Sequence, residues 1–371
     1  MDEPSRRILD GTTWEEFCDT LKAAGSVVLG EGSPENPFDR AEGFRYLSRL
    51  TRSALESFVE NADPLAPELR RTAHETIKMG ADNPDNHYQN APISGKCEYR
   101  IHGTRGSVHY LGLGTQAGNY GSTGTLETTG YLDHSDIALG PDGGLEVFVS
   151  CDPKPQNWLP MKPDSRTLIV RQTFLDKASE TPAQLRIERI DGPHAARPVT
   201  PASIDRGLTN SARFVMGCAR IFHQWALGFQ KHVNQLPRFD DEVARRAGGD
   251  PNIVYYHSYW ELEPDEALVI EVTPPECEHW NFQLNNHWME SLDYRYFPVW
   301  VNKHSARTRE DGSVQVVVAH RDPGTSGASG PMNWIDTCGH HRGTMCWRWI
   351  RATEHPEPGT RVVKLAALQG S

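Results

Sequence analysis

The sequence predicts an α+β chain with an antiparallel β-sandwich, jelly-roll-like core, an N-terminal helical segment and a long helix between two β-rich parts. Three observations carry this. Hydrophobic residues recur at helical spacing in the first sixty residues; the period changes to two from Cys97 onward; and a second helical stripe, from Ile204 to Phe229, interrupts the strand-like runs. The expected division is 1–80 helical, 81–195 β-rich, 196–250 a helical connection and 251–371 β-rich, the two β-rich parts being able to form one domain.

Taken in order, Thr13 with Glu16 reads as a capping box, followed by Trp14, Phe17, Cys18 and Leu21 on one face and Gly25 as the stop. A second helix is expected from about Ala41 to Glu60, on Phe44, Leu47, Leu50, Ala54 and Phe58. CEYRIHG and SVHYLGL flank Thr104-Arg105-Gly106, which predicts a hairpin; GLEVFVS, TLIVRQTFL and QLRIERI continue the strands. The glycines from Gly112 to Gly124 make no dinucleotide fingerprint and read as bends or bulges. The long stripe, with Pro201 before it, follows; His223 and Trp225 on it read as packing rather than pocket residues. IVYYHSYWEL, EALVIEV, SVQVVVA and GTMCWRWI supply the later strands.

Composition narrows the function. A net charge of −11, spread along 371 residues, offers no broad basic surface, so nucleic acid and anionic membrane are not expected partners. No apolar run approaches the ~20 residues that span a bilayer, and the start lacks a signal-peptide core, so a cytoplasmic location is expected. Seven cysteines, odd in number and never in C-x-x-C, predict reduced structural thiols.

Residues 277–294, CEHWNFQLNNHWMESLDY, pose the sharpest question. As a strand, one face carries Trp280, Phe282 and Leu284 and the other Asn281, Gln283 and Asn285. Neutral amides opposite an apolar face either form an internal network or line a polar pocket. Three blocks, DNPDNHYQNAPISGKCEYRIHGTRG (82–106), EALVIEVTPPECEHWNFQLNNHWMESLDY (266–294) and HRDPGTSGASGPMNWIDTCGHHRGTMCWRW (320–349), resemble the bacterial domain-of-unknown-function 1214 family. The resemblance covers most of the chain and implies a sandwich-like domain, but no reaction. GTSGASGPM, between Pro323 and Asn333, is longer than the family pattern.

Chemistry is expected in three places. Glu290 and Asp293, next to the amides, suit an acid–base pair if burial raises one carboxyl pKa, with His320 as a further acid–base group. His320, Asp322 and His340 suit a divalent metal, the one cofactor the residue set admits, since no organic-cofactor motif is present. Asn281, Gln283, Asn285, Trp288, Tyr88 and Arg348 suit substrate binding. Asp82 to Tyr88 also reads as a turn that starts the sheet. The resulting expectation is a hydrolase or lyase, acid–base or metal-assisted, acting on a small polar or glycoside-like molecule; the alternative is a non-catalytic carbohydrate or small-ligand binding protein. Oligomeric state is not legible.

Overall fold

In the computed structural model, residues 1–324, 326–327 and 330–369 are described. Of the loop Gly324–Met332, which reads as longer than the family pattern, Thr325, Ala328 and Ser329 lie outside the described residues.

The front of the chain folds as α1 (Glu3–Leu9), α2 (Thr12–Leu29) and α3 (Pro37–Leu55), the last running into a π-helical turn over Glu56–Glu60. The expected capping box does not form. Helix α2 starts after a left-handed Gly11, and the Thr13 hydroxyl instead donates to Asp205 at 2.5 Å, tying α2 to the long helix. Gly25 does not stop α2 either, because Val28 is still buried one turn later and Gly30 serves as the C-cap. On α3 the buried stripe is rotated from the expected one. Gly43, Tyr46, Leu50 and Ala54 face inward, while Phe44 is 47% exposed. Gly43 sets this rotation, since a Cβ there would lie 2.7 Å from the Trp288 ring.

Residues 86–189 form the first pair of sheets. The strands are β1 (Asn86–Pro92), β2 (Tyr99–Thr104), β3 (Tyr110–Ala117), β4 (Glu127–Asp133), β5 (Gly144–Ser150), β6 (Trp158–Pro160), β7 (Ser165–Thr173) and β8 (Gln184–Arg189). One sheet has the order β1-β7-β3-β4 and the other β6-β5-β2-β8. Leu111, Leu113, Leu168 and Val170 of the first share one core with Ile101, Val147, Val149 and Ile187 of the second, so the two sheets pack as a sandwich. The expected hairpin at Thr104–Gly106 is absent: β2 and β3 belong to opposite sheets, and the chain crosses the sandwich there. The crossing lets both strands turn their apolar faces to the same core.

The stripe after Ile204 is α4 (Pro201–Phe229), opened by a reciprocal Thr200–Ser203 capping box with Pro201 in the first turn. After α5 (Asp241–Arg246) come β9 (Ile253–Glu261), β10 (Glu266–Val272), β11 (His279–Leu284), β12 (Trp300–Asn302), β13 (Val314–Ala319), the short ribbon β14 (Ser326–Gly327) and β15 (Gly330–Pro331), β16 (Asn333–Asp336), β17 (Arg342–Ile350) and β18 (Gly359–Lys364), with α6 (Ala366–Gln369) last. Sheets β16-β13-β10-β18 and β12-β11-β17-β9 close a second sandwich. Trp280, Phe282, Leu284, Trp347 and Trp349 meet Leu268, Ile270, Val316 and Val318 in its core. Pairing is antiparallel except for β5–β6 and β13–β16. The apolar face of β11 is therefore core, as its alternation predicts. Each β-rich part has its own core, and α2, α3 and α4 form a third cluster that includes Tyr259, Trp288 and Met289 of the second part.

Candidate functional site

Because side chains alternate along a strand, the outer face of β11, β17 and β9 carries Asn281, Gln283, Thr344, Cys346, Arg348, Tyr255, His257 and Tyr259. Most of this polar face is buried, and one end is paid for by the segment Gly80–Asn86. Asp85 accepts hydrogen bonds from His279 (3.0 Å), Asn281 (2.8 Å), Trp300 (2.9 Å) and Asn302 (2.9 Å). Asn281 also donates to Asn83 at 2.6 Å, and Gln283 donates to the Asp82 carbonyl at 2.9 Å and to Asn285 at 2.6 Å. Burial favours the neutral acid of Asp85, but the bonds from His279, Asn302 and Asn281 outweigh it and hold the carboxyl below its ordinary range. The amides thus bind protein, not a pocket.

The network ends at Arg348. Its guanidinium donates to Gln283 at 2.6 Å, to Asn281 at 3.3 Å and to the Ala81 carbonyl at 2.5 Å. Ala81 presents that carbonyl from a left-handed backbone, φ 57°, and its N–H donates at 2.7 Å to Met289, itself at φ 56°. Two non-glycine residues in this region, bonded to each other, mark a backbone held by its surroundings.

On its other side Arg348 lines a cavity of about 1130 Å³ between α4, the first sandwich and the second. Tyr88 of β1, Arg171 of β7, Gln116 of β3, and Tyr255 and His257 of β9 line it as well. Arg171 is buried and donates to the Gly248 carbonyl. Among the described residues, no carboxylate oxygen lies within 4.0 Å of the Arg171 or Arg348 guanidinium. Compensation is indirect. Asp85 reaches Arg348 through the Asn281 amide, and Asp250, which accepts from Tyr131 at 2.9 Å, acts on Arg171 from beyond contact. Burial raises the Asp250 carboxyl pKa against the pull of Arg171. Asn83, Asn86 and Gln116, all cavity-lining, each keep a buried side-chain polar atom with no partner.

His257 stacks between Phe229 and Tyr255, with interplanar angles of 5° and 9°. Burial and then the Arg348 charge push its pKa down to about 3, so it is neutral. Cys346 lies 3.8 Å from its Nε2, and burial pushes that thiol up to about 11, which leaves it protonated and poorly nucleophilic.

The expected catalytic set is dispersed. Glu290 is fully buried, 2.6 Å from Arg49 of α3 and 2.9 Å from Asn286; burial raises its pKa against Arg49, but it faces the helical layer and does not line the cavity. Asp293 is taken by Arg295, 2.7 Å away, which holds its pKa low. His320 is fixed by Thr337 at 2.9 Å and the Leu262 carbonyl at 3.3 Å. The expected metal ligands do not converge. Asp322 accepts the Gly324 N–H in a turn at 2.8 Å, and His340 reaches back to Asp39 of α3 at 3.3 Å. No group of three His, Cys, Asp or Glu side chains among the described residues is arranged to hold a metal.

Of the expected binding residues, Tyr88 and Arg348 line the cavity, whereas Asn281, Gln283 and Asn285 are locked in the network. Trp288 packs on Gly43 and donates to the Asp39 carbonyl at 2.9 Å, which fixes α3 to the sheet. Arg171, Gln116, Tyr255 and His257 are not singled out by the sequence. The one signal was Arg171 itself, a charge inside the apolar run TLIVRQTFL. Trp225, read as packing, does both: it contacts Phe222, Phe229 and Phe239 and lines the cavity.

No protein-family model matches the chain. No curated protein matches it either. Among solved structures, the VPA0106 protein from Vibrio parahaemolyticus aligns over 93% of this chain and 100% of its own at 11% identity, with a TM-score of 0.49, too distant to bear on the site. An uncharacterised protein from Burkholderia cenocepacia aligns over 98% of this chain and 99% of its own, at 52% identity and a TM-score of 0.95. At that identity over nearly the whole of both chains, this protein belongs to the same family as the Burkholderia cenocepacia protein.

Proposed function

We propose that the protein binds a small organic anion in the cavity between α4 and the two sandwiches, its acidic group held by Arg171 and Arg348. One observation carries the reading: two buried guanidinium groups line one cavity, and neither has a carboxylate partner among the described residues. A buried cation is expensive unless paired, so a protein that keeps two beside a cavity gains most when an anion enters. Planar guanidinium forks match a carboxylate in particular. The unpartnered polar atoms of Asn83, Asn86 and Gln116 add to the reading.

This favours the ligand-binding alternative over a hydrolase or lyase. Glu290, Asp293 and His320 lie off the cavity lining, each committed to a protein partner. The likeness to the domain-of-unknown-function 1214 family is part of the same proposal, because its three blocks interlock at this point: Asn281 and Gln283 bond to Asp85 and Asp82 on one side and to Arg348 on the other. A cytoplasmic setting is proposed too; all seven cysteines are free, and no described helix is long and apolar enough to cross a membrane.

The test is calorimetric titration of the purified protein with a panel of small carboxylic acids and their uncharged amides. Acids are expected to bind and raise the melting temperature, with Arg348→Gln weakening them at least about tenfold. Amides binding as well as acids would overturn the proposal.

A further inference from the structure

The cavity has a second property besides its two cations. Six aromatic residues line it in an unbroken series of contacts: Phe58–Phe214 (5.5 Å), Phe214–Tyr120 (6.5 Å), Tyr120–Phe222 (5.3 Å), Phe222–Trp225 (6.1 Å) and Trp225–Phe239 (5.1 Å). The series starts at Phe239, which packs edge-on against His257 beside Arg348, and ends at Phe58 in the π-helical turn after α3. Five of the six are only half-buried although they belong to the helical core cluster. The protein therefore leaves part of their apolar surface uncovered along the cavity they line. At about 1130 Å³ that space exceeds what a carboxylate of a few atoms would fill.

Resting on the reading of an anion site, we propose that the natural ligand class is an elongated aryl carboxylate of at least two rings. Its carboxylate meets Arg171 and Arg348, and its rings lie along the series from Phe239 toward Phe58. Aromatic walls favour aromatic guests over saturated ones of the same length, because ring edges and faces carry opposite partial charges and pair in offset or T-shaped contacts. The wall already uses that geometry internally, with Tyr120–Phe222 at 70° and Phe222–Trp225 at 88°.

The experiment titrates the full chain with biphenyl-4-carboxylate, its saturated counterpart bicyclohexyl-4-carboxylate, and biphenyl-4-carboxamide, read by calorimetry and tryptophan fluorescence. The biphenyl acid is expected to bind about five- to tenfold more tightly than the saturated acid. Trp225→Leu should erase most of that preference while both acids still bind; Phe239→Leu serves the same purpose should the tryptophan variant not fold. A saturated acid that binds as tightly as the biphenyl acid overturns the ligand class and leaves the anion site standing. An amide that binds as tightly as the acid overturns the anion site itself. Binding of none of the three overturns both.

Discussion

The two ends of one buried polar face behave as opposites. At the Asn281 end, every amide contact is to protein: Asp85 collects four donors and the segment Gly80–Asn86 covers the strand. At the Arg348 end the same sheet faces a cavity, two guanidinium groups lack a carboxylate partner among the described residues, and Gln116 and His257 each keep a buried polar atom without a hydrogen-bond partner. The residue types are alike, so polarity alone does not make a site. What separates glue from site is whether the folded chain itself supplies the partner.

That difference predicts a division of effects, and the largest lies at the glue. Asp85→Ala leaves buried donors on His279, Asn281, Trp300 and Asn302 without their acceptor, and should cost about 3–5 kcal/mol in denaturant unfolding. A loss below ~1 kcal/mol would show that water or a neighbour replaces the carboxylate, and the contrast would fail.

Acid separates the ends next. His257 at the cavity and His287 in the helix–sheet seam are both held near pKa 3, against 6.5 for the free side chain, chiefly by burial. The unfolded chain therefore binds more protons between those values, and stability falls as pH drops from about 6.5 toward 3, by about 2 kcal/mol per histidine at pH 5. Asp85 runs differently. Its folded pKa is lowered, so its contribution is intact above the ordinary 3.8 and is lost only as pH falls below that value. Urea midpoints at pH 7.5 and 5 should differ in the wild type and differ less in His257→Phe, whose ring suits the stack between Phe229 and Tyr255. Equal wild-type midpoints would sink the idea.

How far the sequence reaches follows the same line. The alternation of Trp280, Phe282 and Leu284 with three amides is a local property, and it locates both the core face and the polar face correctly. Which partner the amides meet is not local, since Asn83 and Asp85 lie almost 200 residues away and read as turn formers. Arg348 and Tyr88, both expected among the binding residues, do line the cavity. Arg171 is out of place in its run, yet its meaning depends on a neighbour in the other sandwich. The carboxylates and histidines misled for a physical reason: a buried Glu290 needs Arg49 simply to be buried at all, and nothing local distinguishes that need from catalysis.

At the cavity end, Arg171→Met should cost only about 1 kcal/mol, because the guanidinium makes one hydrogen bond to the fold, to Gly248, and Asp250, already raised by burial, can take up a proton when the cation is gone. The same variant should lose at least about tenfold in affinity for the acid ligands. A variant as unstable as Asp85→Ala would make Arg171 glue as well and dissolve the distinction between the ends.

The smallest effect is expected where the ends meet. Replacing a buried alanine by glycine ordinarily costs about 1 kcal/mol in backbone entropy and lost contact. Ala81 sits at φ 57°, a conformation that disfavours a Cβ by about as much, and glycine would relieve it. The two terms cancel, so Ala81→Gly should unfold within about 0.5 kcal/mol of wild type. Its effect belongs to the ligand instead. The Ala81 carbonyl anchors Arg348, and a looser backbone there should weaken acid binding by a few-fold through lost preorganisation. A stability loss of 1 kcal/mol or more would mean that Ala81 is not strained, and that Arg348 is held by packing rather than by a backbone the fold forces into place.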